Sequence, residues 1–389
     1  MDLNRRQFLA SASAMAAAAR AHAQGGKTYK ACIIGDSAHG GYGHYIHLAF
    51  ALRKDVAVVG LADPDEAGRA RYAAEANAQR TYADYREMLD KERPDLVAVG
   101  PRWAVNHKDY LLACAEVGAH GLIEKPLCVD IEEADAMVDA VESKSLKWAI
   151  AFNARATPII THLKKLLWDD DLIGTIFEAR GRGKEDHRAG GEDLIVLGAH
   201  VFDMMAYLMD AAPQWCFADV THDGRPATRG DVHEPTEPLG PVAGDRIHAV
   251  YGFGEGVAGH FDSMKNPDGN GGRFGLDVYG SRGVVTIRIG AVPAVYWLNE
   301  STWAPGGGEA VWKPLPDVPG FDGEDHRKRN QPIVDDLMAA IEEDRKPAVS
   351  LEDGRVAQEM IQAVFESCVQ GGRVPVPLEK RSHPLKRWS

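Results

Sequence analysis

The sequence predicts an α/β protein in which an N-terminal doubly wound parallel sheet is followed by an α+β domain with an open, mainly antiparallel sheet. Three observations carry this prediction. Between residues 30 and 150, short apolar runs alternate with helical patterns, as parallel βαβ units require. The first apolar run ends in a glycine-rich turn. Beyond residue 153 the apolar runs lengthen, alternate with period two and are bounded by glycine, which is the texture of antiparallel strands with one wet face.

The first half divides as follows. Strands are expected at Lys30–Gly35, Val56–Leu61, Leu96–Gly100, Gly121–Ile123 and Trp148–Phe152, with helices at Asp65–Gln79, His107–Gly118 and Ile131–Lys144. In the second half, a helix at Thr157–Trp168 precedes strands at Thr175–Arg182, Arg246–Phe253, Gly256–Ser263, Arg273–Gly280 and Gly283–Ile289. Helices at Asp193–Met209 and Asn330–Glu343 flank or interrupt that sheet, and the polar, proline-rich stretch Thr221–Val242 reads as a long surface loop. The expected domains are residues 27–152 and 153–380.

The chain has 389 residues, 45% of them hydrophobic, which is enough for two cores, and a net charge of −13, which argues against a nucleic-acid footprint. Asn4-Arg5-Arg6-Gln7-Phe8-Leu9, a short alanine-rich apolar stretch and Ala21-His22-Ala23 together read as a signal peptide over residues 1–23. The arginine pair resembles a twin-arginine signal, so a periplasmic or secreted location is expected. After it, no apolar run is long enough to span a bilayer. Cys32, Cys114, Cys128, Cys216 and Cys368 lie far apart without a C-x-x-C pair, and nothing in their spacing calls for a disulfide.

The turn after the first strand, Gly35-Asp36-Ser37-Ala38-His39-Gly40-Gly41-Tyr42-Gly43-His44, is a widened relative of G-x-G-x-x-G. Gly35, Ser37, Gly40, Gly41, Tyr42 and Gly43 are candidates to cradle a dinucleotide pyrophosphate at a helix N-terminus. Asp63, 20 residues after Gly43 at the end of the second strand, is placed to bind the adenosine ribose. A carboxylate there repels a 2′-phosphate, so NAD is expected and NADP is disfavoured.

The strand Gly121–Ile123 runs into Glu124-Lys125-Pro126. A lysine at the carboxyl end of a parallel strand faces the ligand crevice, where nearby positive charge makes its proton easy to lose. With Gly100-Pro101-Arg102-Trp103-Ala104-Val105-Asn106-His107, Ala115-Glu116-Val117-Gly118-Ala119-His120 and Gly198-Ala199-His200-Val201-Phe202-Asp203, this segment resembles the Gfo/Idh/MocA family of nicotinamide-dependent sugar oxidoreductases over about residues 28–380. The resemblance implies a Rossmann domain and a C-terminal domain whose open sheet floors the active site and often forms an oligomer interface, so a homodimer or homotetramer is expected. It also implies that Glu124 holds the nicotinamide ribose, that Lys125 and His200 are the acid/base groups, and that Pro101, Trp103, Asn106 and His107 border the cofactor. Many relatives carry an aspartate four residues before the histidine; here that position is Val196, and Asp193 is the nearest substitute on the same predicted helix.

Lys184 and His187, in the charged run Lys184–Arg188, are candidates to bind substrate together with Asp193. His260 and Asp262 share one strand face, where a satisfied sheet histidine is the simpler reading, and Trp297, Trp303 and Trp312 read as core or interface filling. No histidine or cysteine spacing calls for a metal. Three functions remain open: an exported NAD-dependent oxidoreductase of a carbohydrate or polyol, a glycoside hydrolase or lyase that keeps NAD bound through a transient redox cycle, and a nucleotide- or sugar-binding protein without catalysis.

Overall fold

A computed structural model describes residues 27–265, 272–307 and 310–388; the expected signal segment 1–23 lies outside them. Six parallel strands, β1 (Tyr29–Ile34), β2 (Val56–Ala62), β3 (Arg80–Tyr82), β4 (Leu96–Val99), β5 (His120–Ile123) and β6 (Trp148–Ile150), form the first sheet in the order β3-β2-β1-β4-β5-β6. That order reverses between β1 and β4, and the crevice at such a switch point is where open α/β sheets bind ligands. β1, β4 and β5 are apolar and almost wholly buried, because α1 (Glu66–Glu75), α2 (Tyr85–Glu92), α3 (His107–Glu116) and α4 (Ile131–Glu142) cover the sheet. Asp65, Asp84 and Asp130 cap α1, α2 and α4 by accepting backbone N–H bonds in the first turn.

A short α5 (Asn153–Ala156) and α6 (Pro158–Trp168) lead into the second sheet. Its strands are β7 (Ile176–Arg182), β8 (Trp215–His222), β9 (Arg225–Pro226), β10 (Arg246–Gly252), β11 (Ala258–Met264), β12 (Gly275–Gly280), β13 (Gly283–Arg288), β14 (Ala294–Leu298), β15 (Lys313–Pro314) and β16 (Val374–Pro375). The order is β15-β14-β13-β12-β7-β11-β10-β8-β16, with β9 beside β8, and only β7 and β11 run parallel among these pairs. One face is covered by α7 (Gly191–Val196), α8 (Gly198–Met209) and α10 (Leu351–Gln370), and the other is open, while α9 (Gln331–Glu342) packs against β5 and β6 of the first sheet.

Two expectations change here. The segment after the glycine-rich turn is not a regular helix: Gly43–Leu48 forms 3-10 turns in which His44 and Tyr45 have φ of 43° and 56°. The predicted helix Asp193–Met209 is two helices, α7 and α8, meeting at Leu197, where the His200 amide bonds the Leu197 carbonyl instead of that of Val196. α10 packs against α4 and α8, and the strand edge at Ile150 receives Val349 and Ser350, so the end of the chain ties the two sheets together. All five cysteines are free thiols, four of them buried.

Candidate active site

Glu124, Lys125 and Pro126 follow β5 at the crevice, and the Lys125–Pro126 peptide is cis. Lys125 is buried, and its Nζ donates to the Val196 carbonyl at 3.0 Å. That carbonyl is available because the helix steps at Leu197. The backbone of residue 196 therefore provides the acceptor that an aspartate side chain at the same position would have supplied. Burial lowers the Lys125 pKa from its ordinary value; Arg188 and Arg102 add to the shift, while Glu124 and Glu237 oppose it.

His200, in the first turn of α8, lines the same cavity of about 230 Å³ with His44, Arg102, Glu124, Lys125, Pro126, Arg188, Val196, Leu197 and Glu237. Its ring is buried, its Nδ1 has no partner among the described residues, and burial beside Lys125 and His44 drives its pKa well below the ordinary value. His200 is thus a neutral imidazole next to a lysine that holds its proton less tightly than an ordinary one. Arg188 places a guanidinium at the rim, held by Asp186 at 2.6 Å, with Glu237 3.7 Å away. Donors (Arg102, Lys125, Arg188) and acceptors (Glu124, Glu237) both line this cavity, a mixture suited to a ligand rich in hydroxyl groups.

Glu124 is fully buried; Oε1 lies 2.6 Å from His44 Nδ1 and Oε2 has no partner among the described residues. A Cβ at Gly43 would lie 2.2 Å from Glu124 Oε1, so this position must be glycine for the carboxylate to sit against the loop. An acceptor left unpaired in a closed site calls for a donor, and a nicotinamide ribose hydroxyl is such a donor. The nicotinamide end of a dinucleotide therefore fits these residues.

The rest of the expected cofactor set is arranged differently. Asp63 is fully buried and accepts from Ser37 N, Ser37 Oγ, Asp65 N and, at 3.1 Å, the Tyr42 hydroxyl. The Tyr42 ring fills the space over Gly35 and packs on Tyr72 at 4.1 Å. Asp63 thus presents no free carboxylate to a ribose here, because Ser37 and Tyr42 have saturated it. His107 has both ring nitrogens committed to the backbone: they lie 2.7 Å from the Pro101 carbonyl and 3.1 Å from that of Leu127, tying the loop after β4 to the Glu-Lys-Pro loop. Trp103 stands beside the glycine turn, its ring 5.3 Å from His39 and its backbone against Gly40.

Of the substrate candidates, none of the three lines the cavity. The Asp193 carboxylate is committed to Lys184 N, Glu185 N and Ser263 Oγ, holding the loop after β7 in place, and so cannot assist His200. Lys184 and His187 are exposed and lie near Asp186. The same loop instead contributes Arg188. His260 sits on the open sheet face 3.5 Å from Glu178, and Asp262 is bonded by His248, so this pair is a sheet feature. Four cavity residues escaped the sequence reading as site groups: His44, Arg102, Arg188 and Glu237. Arg102 and Arg188 lay inside segments already singled out, but Glu237 sits in a proline-rich loop that carries no such signal.

Residues 30–152 match the oxidoreductase family described as an NAD-binding Rossmann fold, and residues 177–378 match its C-terminal alpha/beta domain, the Gfo/Idh/MocA family. The chain belongs to this family. Its relatives include levoglucosan dehydrogenase of Pseudarthrobacter phenanthrenivorans, 27% identical over 62% of this chain and 66% of the relative. Myo-inositol 2-dehydrogenase of Thermotoga maritima is 25% identical over 46% of this chain and 58% of the relative. These alignments cover less than two thirds of either relative. The structure of levoglucosan dehydrogenase with NADH and L-sorbose superposes with a TM-score of 0.72 at 22% identity, over 90% of this chain and all of that one. The aldose-aldose oxidoreductase of Caulobacter crescentus with glycerol gives 0.68 at 19% identity, again over 90% of this chain and all of that one. Both share the Gfo/Idh/MocA fold with this chain.

Proposed function

We propose that this Gfo/Idh/MocA protein is an NAD-dependent oxidoreductase that oxidises a secondary hydroxyl of a sugar or polyol. The observation carrying the proposal is Lys125, buried, with a lowered pKa and hydrogen-bonded to the Val196 carbonyl in a cavity shared with a neutral His200. NAD, when bound, supplies the hydride acceptor for the carbinol C–H. Neutral Lys125 takes the hydroxyl proton as the carbonyl forms, and the Val196 carbonyl fixes the direction of Nζ. His200 donates to or accepts from the same oxygen or its neighbour, and Arg188 and Glu237 orient the remaining hydroxyls. Sugar and polyol dehydrogenases among the relatives support the substrate class.

The test is to incubate purified protein with NAD and a panel of sugars, polyols and glycosides, measuring NADH and product together. NADH formed in proportion to a keto or lactone product supports the reading. Product without net NADH points to the transient redox cycle, and tight NAD binding with no product to a binding protein.

The proposal places the enzyme outside the cytoplasm, on the strength of Arg5-Arg6-Gln7-Phe8-Leu9 and Ala21-His22-Ala23. It also makes the protein a homo-oligomer through the open face of the second sheet. Across that face Phe217, Val250, His260, Arg180, Asp277, Thr286 and Tyr296 occupy consecutive paired positions, and Phe217 and Tyr296 are 45% and 43% exposed. Tyr296, Tyr279, Trp303 and Trp312 line a groove of about 430 Å³ on it.

A further inference from the structure

We infer that Arg102 is a diphosphate-binding residue of this protein, taking over the part that a helix N-terminus plays in other dinucleotide sites. The inference rests on the reading that the chain binds NAD.

In an ordinary dinucleotide site the turn after the first strand offers unpaired backbone N–H groups, and a following helix adds the positive end of its dipole. Here the helix is absent and the supply of free amides is reduced. The N–H groups of Gly35, Ser37, His39, Gly41 and Gly43 are already bonded, to Ala62 O, the Asp63 carboxylate, Asp36 O, Asp36 O and Gly100 O respectively. The segment that follows is a 3-10 stretch broken by two left-handed residues, with no aligned run of peptides to build a dipole. The turn also holds the buried carboxylate of Asp36, which accepts from His39, so the local field from its own side chains does not favour an anion.

Arg102 supplies what is lacking. Its Nε donates to the Gly40 carbonyl at 2.9 Å, and its side-chain stem passes close to Gly43, where an added Cβ would lie 2.8 Å from Arg102 Cγ. Gly40, with φ of +94°, lets the turn close directly on the backbone of residues 102 and 103. The guanidinium is therefore anchored on the turn by one nitrogen, while its two terminal nitrogens have no partner among the described residues. Arg102 also lines the Lys125 cavity, so the anchored group lies between the turn and the nicotinamide end, where the diphosphate of an extended dinucleotide must pass. A planar fork with two free donors is the geometry that binds phosphate oxygens in pairs.

The test is direct titration of NADH, ADP-ribose and adenosine into wild type, Arg102→Met and Arg102→Lys, at low and high salt, with thermal melting to confirm folding. Arg102→Met is expected to weaken NADH and ADP-ribose by about 10- to 100-fold, leave adenosine unchanged, and flatten the salt dependence. Arg102→Lys, which keeps the charge, should recover part of the loss. Equal affinity of wild type and Arg102→Met for NADH and ADP-ribose would overturn the inference. So would equal weakening of adenosine, the mark of a merely structural tether, or a loss seen only in substrate KM. Failure of wild type itself to bind NADH would overturn the NAD reading as well, and so separates the two failures.

Discussion

The reactive centre depends on one backbone carbonyl. Lys125 needs an acceptor that holds Nζ without fixing a proton on it, and the Val196 carbonyl at 3.0 Å does this in place of a carboxylate. A neutral acceptor stabilises ammonium less than a carboxylate would, so burial is left to dominate the lysine's pKa. The rate should therefore rise with pH as Lys125 loses its proton, through a midpoint below the 10.5 of an ordinary lysine, and level off above it. No limb near pH 6.5 should arise from His200, whose pKa lies well below that value. A kcat/KM–pH profile checks both; a rate that climbs only beyond pH 10.5 would contradict the assigned base.

At the scale of elements, the step at Leu197 separates His200, assigned to the proposed reaction, from Asp193, which holds the frame. Replacing Asp193 by alanine leaves two backbone N–H groups and the Ser263 hydroxyl without their acceptor, a loss of about 2–4 kcal/mol. Denaturant melts should show that destabilisation, while kcat of the folded fraction stays within a few-fold of wild type. A large kcat loss at unchanged stability would return Asp193 to the site. Gly43→Ala should weaken NADH binding, since its Cβ meets Glu124 Oε1, and titration measures it.

The regular parts of this architecture were legible in the sequence. β1, β2, β4, β5 and β6 announce themselves as apolar runs, and Lys125 and His200 fall on the Glu-Lys-Pro and Gly-x-His-x-x-Asp motifs. The step at Leu197 was not legible, because a continuous apolar pattern from Asp193 to Met209 looks the same whether or not one hydrogen bond shifts from i−4 to i−3. Nor was the saturation of Asp63, since Ser37 and Tyr42 reach it only after the widened turn folds back. α10 went unnoticed although it has 20 residues, because it is buried on most sides and its polar members Gln358, Glu359, Gln362 and Glu366 interrupt the expected stripe.

Over the whole molecule, two properties follow from burial. His107, His200 and His383 are buried with lowered pKa values, that of His383 to about 3. Below the unfolded value of 6.5 the unfolded chain takes up protons that the folded chain refuses, so stability falls as pH drops from 6.5 toward 3. Each such histidine contributes up to about 1.4 kcal/mol per pH unit. Melting temperature against pH checks this; a flat profile across that window would contradict it. The second is the proposed homo-oligomer, which would form through the open sheet face. Phe217→Glu with Tyr296→Glu should reduce the mass in sedimentation to that of one chain, whereas an unchanged assembly would place the interface elsewhere.

The central claim is that Lys125 is the proton acceptor in an NAD-dependent oxidation. Single-turnover NADH formation by Lys125→Met, with NADH affinity titrated on the same sample, tests it most directly. The account predicts a fall of about 100-fold or more in the rate, with NADH affinity within a few-fold of wild type. Undiminished hydride transfer in that variant would contradict it.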